Sequence, residues 1–343
     1  MRLRDYVIRR LILLLPVLFG VTLIAFTLSH VIGDPVAAYV SERTPEWQIK
    51  QVIAQKGLDK PIFVQYGIYV SDLLRGDWGL TRSVNDRPVT DVVKEFFPPT
   101  FELTAASLAM ILVIAIPLGI ISATHKDKPL DHATRLFALS GVSMPVFWLG
   151  LLMLFVFYYR FEIMGLPSLP SGGRVTPFLY PPLTSITGFY LLDSILQARV
   201  DAFFDVLAHL IMPAFVLGYH GLTMVTRMMR SSMLEVMRQD YIMLARSKGL
   251  PERIVIYRHA MKNAMIPTVT VVGLSFGSLL TGAPITETVF SWPGLGRWAA
   301  GAILRTDFSA ISGFAIVSAL VYVMVNLIVD ILYAFIDPRI RLG

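Results

Sequence analysis

The sequence predicts an all-α, polytopic membrane protein with six transmembrane helices and a small insert after the first. Three observations carry that prediction. Of the 343 residues, 55% are hydrophobic and only 16% charged, against about 25% charged in a soluble protein. Apolar runs recur at about the 20-residue length that a helix needs to cross a bilayer. The loops between these runs sort into a basic set and an acidic set when taken alternately.

The N-terminal segment, 1–33, carries Arg2, Arg4, Arg9 and Arg10 and then a first span over 11–32. A signal peptide is the competing reading. It fails because the apolar run exceeds a usual h-region and no small-x-small site follows; Gly33-Asp34-Pro35 ends the span instead. Residues 34–99 are polar, with helices expected over 47–54 and 61–74, followed by Gly76-Asp77-Trp78-Gly79. So long a stretch is uncommon as a structureless loop, so it reads as a small extracytoplasmic domain. It either meets an external protein or packs as a lid on the spans, and the residues leave both open.

Residues 100–343 form a five-helix core. The second span covers 100–123. A charged loop over 125–135 precedes the third, which ends near Tyr159 and contains Gly141-Val142-Ser143-Met144-Pro145. Such a cluster at membrane depth marks a kink or close helix packing. Residues 160–205 are a long loop rich in Pro and Gly. The fourth span covers 206–226, the fifth 266–281 and the sixth 311–335. A basic loop over 230–267 joins the fourth to the fifth. A Glu287–Trp298 segment joins the fifth to the sixth.

Alternation of six spans puts the N-terminal Arg cluster, Lys126, Lys128, Arg135, Arg227, the 230–267 loop and Arg339 and Arg341 on one side. That side holds more than half of the 30 Lys and Arg residues, and the other holds most of the 24 Asp and Glu. The positive-inside rule makes the basic side cytoplasmic, with both termini on it. The net charge of +6 therefore belongs to topology and to a cytoplasmic partner or anionic lipid. No aromatic-basic stacking pattern points to nucleic acid.

Several chemistries are excluded. There is no Cys, so disulfides and thiolate metal sites are absent. No Gly is followed by Lys, so a phosphate-binding loop of the Gly-x-x-x-x-Gly-Lys type cannot exist. If ATP drives this protein, the motor is a separate polypeptide. His-Glu-x-x-His does not occur, and no catalytic or metal-ligating constellation emerges. A secondary transporter would need inverted repeats and a midplane ion site, and a channel a filter or charged ring. No repeat or ring is visible.

Intramembrane ionisable groups are functional candidates by default. Asp330 and Asn326 lie one turn apart on the last span, as a gate element or a structural ion pair. His209 and His220 are eleven residues apart on the fourth, as a substrate-facing pair or as buried, hydrogen-bonded side chains. The Met224, Met228, Met229 and Met233 run fits core filling.

The basic loop has its own pattern. Met233, Leu234, Met237, Tyr241, Leu244 and Ala245 follow helical spacing and predict one helix over 231–248. Lys248-Gly249-Leu250-Pro251-Glu252 predicts a Schellman-type stop and a restart at the proline. Ile254, Tyr257, Ala260, Met261, Ala264 and Met265 predict a second helix running into Pro267. Such a bent amphipathic pair suits docking in a partner's groove or lying on anionic lipid.

Asp240-Tyr241, Ala245-Arg246, Lys248-Gly249-Leu250, Arg258-His259-Ala260, Asn263-Ala264 and Ile266-Pro267 resemble the cytoplasmic coupling loop of ABC-importer permeases. Gly76-Asp77-Trp78-Gly79, Ser291-Trp292-Pro293-Gly294-Leu295-Gly296 and Asp337-Pro338-Arg339-Ile340-Arg341 narrow the resemblance to the dipeptide/oligopeptide permease family. The acidic first residue of the general loop pattern is missing, since Met243-Leu244-Ala245 occupies that slot.

The resemblance implies a type I importer permease in a prokaryotic cell membrane. It would pair with a second, homologous permease and contact two cytoplasmic ATPases, which bind ATP and Mg. An external binding protein would deliver di- or oligopeptides, or in other members oligosaccharides or nickel. The chain itself would need no cofactor. Tyr241, Ala245, Arg246, Lys248, Gly249, Leu250 and Pro267 would make the ATPase-coupling element. Gly76, Asp77, Trp78, Trp292, Pro293 and Gly294 would form the binding-protein docking surface.

Overall fold

A computed structural model describes residues 3–31, 35–40, 44–177, 179 and 181–336. Five helices in it are long and apolar enough to cross a membrane, and a sixth span is a bent pair. Among the described residues the regular structure is helical, apart from one short antiparallel ribbon.

Helix α1 is Leu3–Val31, and over 12–19 its side chains are mostly exposed. The insert holds α2 (Glu46–Lys56) and α3 (Ile62–Leu74), close to the expected bounds, then β1 (Leu80–Thr81) paired with β2 (Arg87–Pro88). The insert leans on the bundle. Thr22 of α1 meets the Tyr66 hydroxyl of α3 at 3.0 Å, and His30 meets Gln65 at 2.8 Å. Lys56 ties Asp72 and Asp77 at 2.8 and 2.6 Å.

The second span corrects the sequence reading. Its helix, α4, runs over Val89–Thr124 and begins eleven residues before Thr100, passing through Pro98 and Pro99. A helix tolerates prolines where neighbours satisfy the freed carbonyls. A π-turn over Ile111–Ala115 widens α4 just before Pro117, where the missing N–H disrupts the regular ladder.

The third span also differs. Helix α5 (Pro129–Ser143) starts inside the supposed loop, and α6 (Val146–Ile163) is the apolar span. Met144 is extended between them, at φ −95° and ψ 121°. The cluster before Pro145 is thus a break, because the residue preceding a proline is driven out of the helical region. Gly141 lies directly against Thr223, leaving no space for a side chain.

Helix α7 (Tyr190–Leu196) interrupts the long loop. Helix α8 (Val200–Val236), 37 residues long, is the centre of the bundle and packs on α4, α5 and the fifth span. Its Leu210, Ala214, Leu217, Leu222 and Val225 join Leu103, Ile111 and Leu279 in the main apolar cluster. Helix α9 is Asp240–Ser247. Helix α10 is the fifth span: Glu252–Ile254, a π-turn over Val255–Ala260, and Met261–Val289. It bends by 59° between Glu252–Leu279 and Ala283–Val289, beside Pro284. Helices α11 (Leu295–Leu304) and α12 (Phe308–Ile336) complete the described residues.

Candidate functional site

The expected single helix over 231–248 is two pieces. The first belongs to α8, which continues past Arg230 to Val236; a turn then leads into α9. Eight residues are too few for a stable isolated helix, so α9 depends on its packing. Ile242 is fully buried and Ala245 is 8% exposed, in one cluster with Met229, Met233, Val255, Ala260 and Ala264. The other face of α9 carries Tyr241, Met243 and Leu244, exposed at 41%, 52% and 57%. Leu250, Ile254 and Tyr257 extend that apolar patch beyond the bend.

The predicted stop at Gly249 is present. Its φ is +73°. The Gly249 N–H donates to the Arg246 carbonyl at 2.9 Å, and the Leu250 N–H reaches the Ala245 carbonyl at 3.4 Å. These are the two bonds of a Schellman motif. An added Cβ would meet nothing within 4 Å, so backbone conformation alone demands glycine here. Pro251 then precedes α10 in an extended conformation. Arg246 bridges the bend to Glu252 at 2.7 Å. That pair is well exposed, so its contribution is at most about 1 kcal/mol. Asn263 of α10 donates to the Tyr241 hydroxyl at 2.7 Å. The second predicted helix does not stop at Pro267 but is the start of the fifth span.

One assignment within this loop is corrected. Ala245 faces inward and packs within its own chain, so it offers almost no surface to a partner. Pro267 is exposed inside α10. Tyr241, Arg246, Lys248, Gly249 and Leu250 do share the exposed surface.

A buried hub supports this surface, and the sequence reading missed it. Asp131 of α5 is fully buried. Arg230 of α8 donates to it through Nε and Nη2 at 2.7 and 2.8 Å. The Ser122 hydroxyl and the Asp127 backbone N–H complete its shell. The Arg230 guanidinium holds the Asp131 carboxyl well below the usual carboxylate range, and the hydrogen bonds from Ser122 and Asp127 add to the effect against desolvation. The hub binds the end of α4, the start of α5 and the end of α8 just before α9. A lone Asp in the first turn of a helix and an Arg after an apolar run were the available signals, but nothing in one sequence pairs them.

At the opposite end, the Trp292 segment is an internal clasp. Trp292 is wholly buried, and its indole N–H donates to the Pro99 carbonyl at 2.9 Å. Its side chain therefore cannot be a docking contact in this structure. Glu287, also wholly buried, accepts from the Thr100 hydroxyl at 2.6 Å and from the Arg297 N–H at 2.7 Å. It thus caps the start of α11. Gly294 lies against the Glu287 carboxylate, where any side chain would collide. Pro293 and Gly294 line an open groove with Arg297, Trp298 and Arg305. Asp77 pairs with Lys56, and the Trp78 indole donates to the Leu73 carbonyl at 3.2 Å. Gly76 is at φ +86° in open space. Glu102 and Arg174 form a buried ion pair at 2.6 Å that anchors the long loop on α4.

The two histidines part company. His209 is 4% exposed and bonds the Asp205 carbonyl at 2.8 Å, where Thr176 of the long loop grips the Asp205 carboxylate. His220 is exposed. Asn326 is half-buried on α12. The Asp330 side chain and the 337–341 motif lie outside the described residues, as do Gly33 and Asp34. Among the described residues no cluster of His, Asp and Glu is arranged to hold a metal.

Sequence comparison places this helical bundle in a family. Residues 115–342 match the family model described as "Binding-protein-dependent transport system inner membrane component". The chain belongs to that family. It is a multi-pass inner-membrane permease of an ABC transport system. It is 46% identical to the probable D,D-dipeptide transport system permease DdpB of Escherichia coli (strain K12), over 95% of this chain and 94% of that one. It is 41% identical to the dipeptide transport system permease DppB of Alkalihalophilus pseudofirmus, over 98% and 99%. Identity with the oligopeptide transport system permease AppB of Bacillus subtilis (strain 168) is 33%, again over 98% and 99%.

Proposed function

We propose that this permease forms half of a route for di- or oligopeptides, beside a second homologous permease, and that α9 docks in a groove of a cytoplasmic ATPase subunit. The observation that carries this is the outer face of α9. Tyr241, Met243 and Leu244 stand exposed on a helix too short to serve as a span, held by an inner face packed on α8 and α10. An apolar helix face of this kind suits a groove in a folded partner. Because α9 is wedged against two spans, displacement of α9 moves them. Closure of two ATPases on ATP thereby shifts the permease between states of different access. ATP and Mg belong to those subunits.

The positive-inside rule puts α9 and both termini in the cytoplasm. The insert and the Pro293–Gly294 groove then face outward, where a binding protein delivers substrate. Dipeptides are the first choice, as named for the relatives above. Reconstitution in vesicles with its partner permease, ATPases and binding protein tests the reading. A labelled dipeptide should enter only with ATP and binding protein. Uptake that persists without the ATPase subunits would overturn it.

A further inference from the structure

Helix α8 carries an exposed ionisable group near its middle. His220, Met224, Arg227 and Ser231 recur at i, i+4, i+7 and i+11 and so share one face. His220, Arg227 and Ser231 are exposed, and Met224 is half-buried. The His220 ring makes no hydrogen bond among the described residues. The Arg227 guanidinium donates only to Met224 Sδ, at 2.7 Å, and pairs with no carboxylate among them. By contrast, the exposed face of α4 through the same bundle is Phe101, Leu112 and Val113, as lipid requires.

The stripe on α8 continues onto α10. Gly221, beside His220, lies against Ser275, whose Cβ would be 3.2 Å from an added Cβ. Thr270 and Leu274 are exposed on the same helix as Ser275. Helix α4 fills the other side of this pair. Gly218 of α8 faces Ser107, and Leu279 of α10 shares a cluster with Leu103. Both exposed stripes therefore look away from α4. Toward α9, the stripe opens into a cavity of about 210 Å³ lined by Thr134, Arg135, Leu139, Thr226, Arg227 and Arg230. Arg230 is committed to Asp131 and Arg135 leans on the same carboxylate at 3.6 Å. Arg227 is the cation left over.

Ionisable side chains within a span avoid lipid and turn to water or a partner group. We infer that His220, Met224, Arg227 and Thr270 line the water-filled substrate route, with Arg227 as a cation that meets the carboxylate of a passing substrate. The inference rests on the permease reading above, and it adds the face and the charge. A peptide with a free carboxylate fits a route with one unpaired guanidinium.

The absence of Cys makes the test direct. His220→Cys, Met224→Cys and Thr270→Cys are introduced singly into the reconstituted importer, with Val113→Cys as the lipid-facing control. Co-purification of the ATPases and dipeptide uptake are measured first, which checks the permease reading separately. A charged, membrane-impermeant methanethiosulfonate should then react at least tenfold faster at 220, 224 and 270 than at 113. At Met224→Cys the anionic reagent should outpace the cationic one, and Arg227→Gln in the same chain should abolish that preference. Reaction at 220 and 270 as slow as at 113 in an importing complex would show that this face lies against lipid or the second permease. Equal rates for the two reagents at 224 would remove the role given to Arg227.

Discussion

Asp131 and Arg230, 99 positions apart in the chain, meet in a two-bond pair at 2.7 and 2.8 Å around a carboxylate with no exposed surface. The pair closes the bundle at the end from which α9 emerges. Arg230→Gln takes both charged hydrogen bonds from a buried carboxylate, and Asp131→Asn leaves a part-buried guanidinium without its partner; each costs up to about 3 kcal/mol. Asp131→Leu combined with Arg230→Met should cost less than either single change. Thermal unfolding of the purified permease complex measures all three.

The same pair has a pH signature. The folded carboxyl of Asp131 lies well below its unfolded value, chiefly through Arg230. Its contribution is fully present above the unfolded carboxylate pKa of about 3.9 and is lost as pH falls through the lower, folded value. Stability should therefore show no loss from this group between neutral pH and mild acid. In Asp131→Asn the steep fall at strongly acid pH should be smaller than in the parent. An unfolding midpoint that drops for the parent but not for Asp131→Asn near pH 6 would contradict this.

Glu287 supports the outer clasp through Thr100 and Arg297. Glu287→Ala strands the start of α11 without its acceptor, at about 1–3 kcal/mol per unsatisfied group, and frees the Pro293–Gly294 loop. ATPases should still co-purify with this variant, while stimulation of ATP hydrolysis by the binding protein falls. Unaltered stimulation would separate the clasp from docking.

Gly249 requires positive φ with open space around it. Gly249→Val carries a local penalty of about 1–2 kcal/mol, too small to unfold the bundle but enough to misaim α9. Gly249→Asn should be milder, because Asn tolerates this region. Membrane yield should be unchanged for both, with transport lost in Val and largely kept in Asn. If α9 instead lies on anionic lipid, Gly249→Val matters little and neutralising Arg246, Lys248, Arg253 and Arg258 matters more.

The apolar runs and the Gly249 bend could be read from local pattern, because hydrophobic length and positive φ are properties of short stretches. The end of α8 could not. The pattern predicts residues 231–236 in a helix shared with 240–247, but they continue the fourth span instead, because a span that runs on into water keeps its helical ladder. The start of α4 is likewise missed, because residues 89–99 belong to a polar stretch that tertiary contacts keep helical. The facing of α9 was ambiguous because both its sides are apolar, with Ile242 and Ala245 against Tyr241, Met243 and Leu244. Only the packing of Met229, Met233 and Val255 decides which side is inner. The Asp131–Arg230 and Thr100–Glu287 contacts depend on helix packing across the bundle and leave no local trace.

That facing yields a paired comparison. Ala245→Asp puts a charge into the interior cluster and should lower the stability of the permease itself. Leu244→Asp, at a neighbouring position that is 57% exposed, should leave the unfolding midpoint unchanged. Co-purification of the ATPase subunits with Leu244→Asp, scored beside its ATP-dependent dipeptide uptake, is the decisive measurement. ATPase recovery and uptake should both fall at least tenfold while the permease remains folded in the membrane. Full recovery and full uptake would show that the outer face of α9 does not dock on the motor.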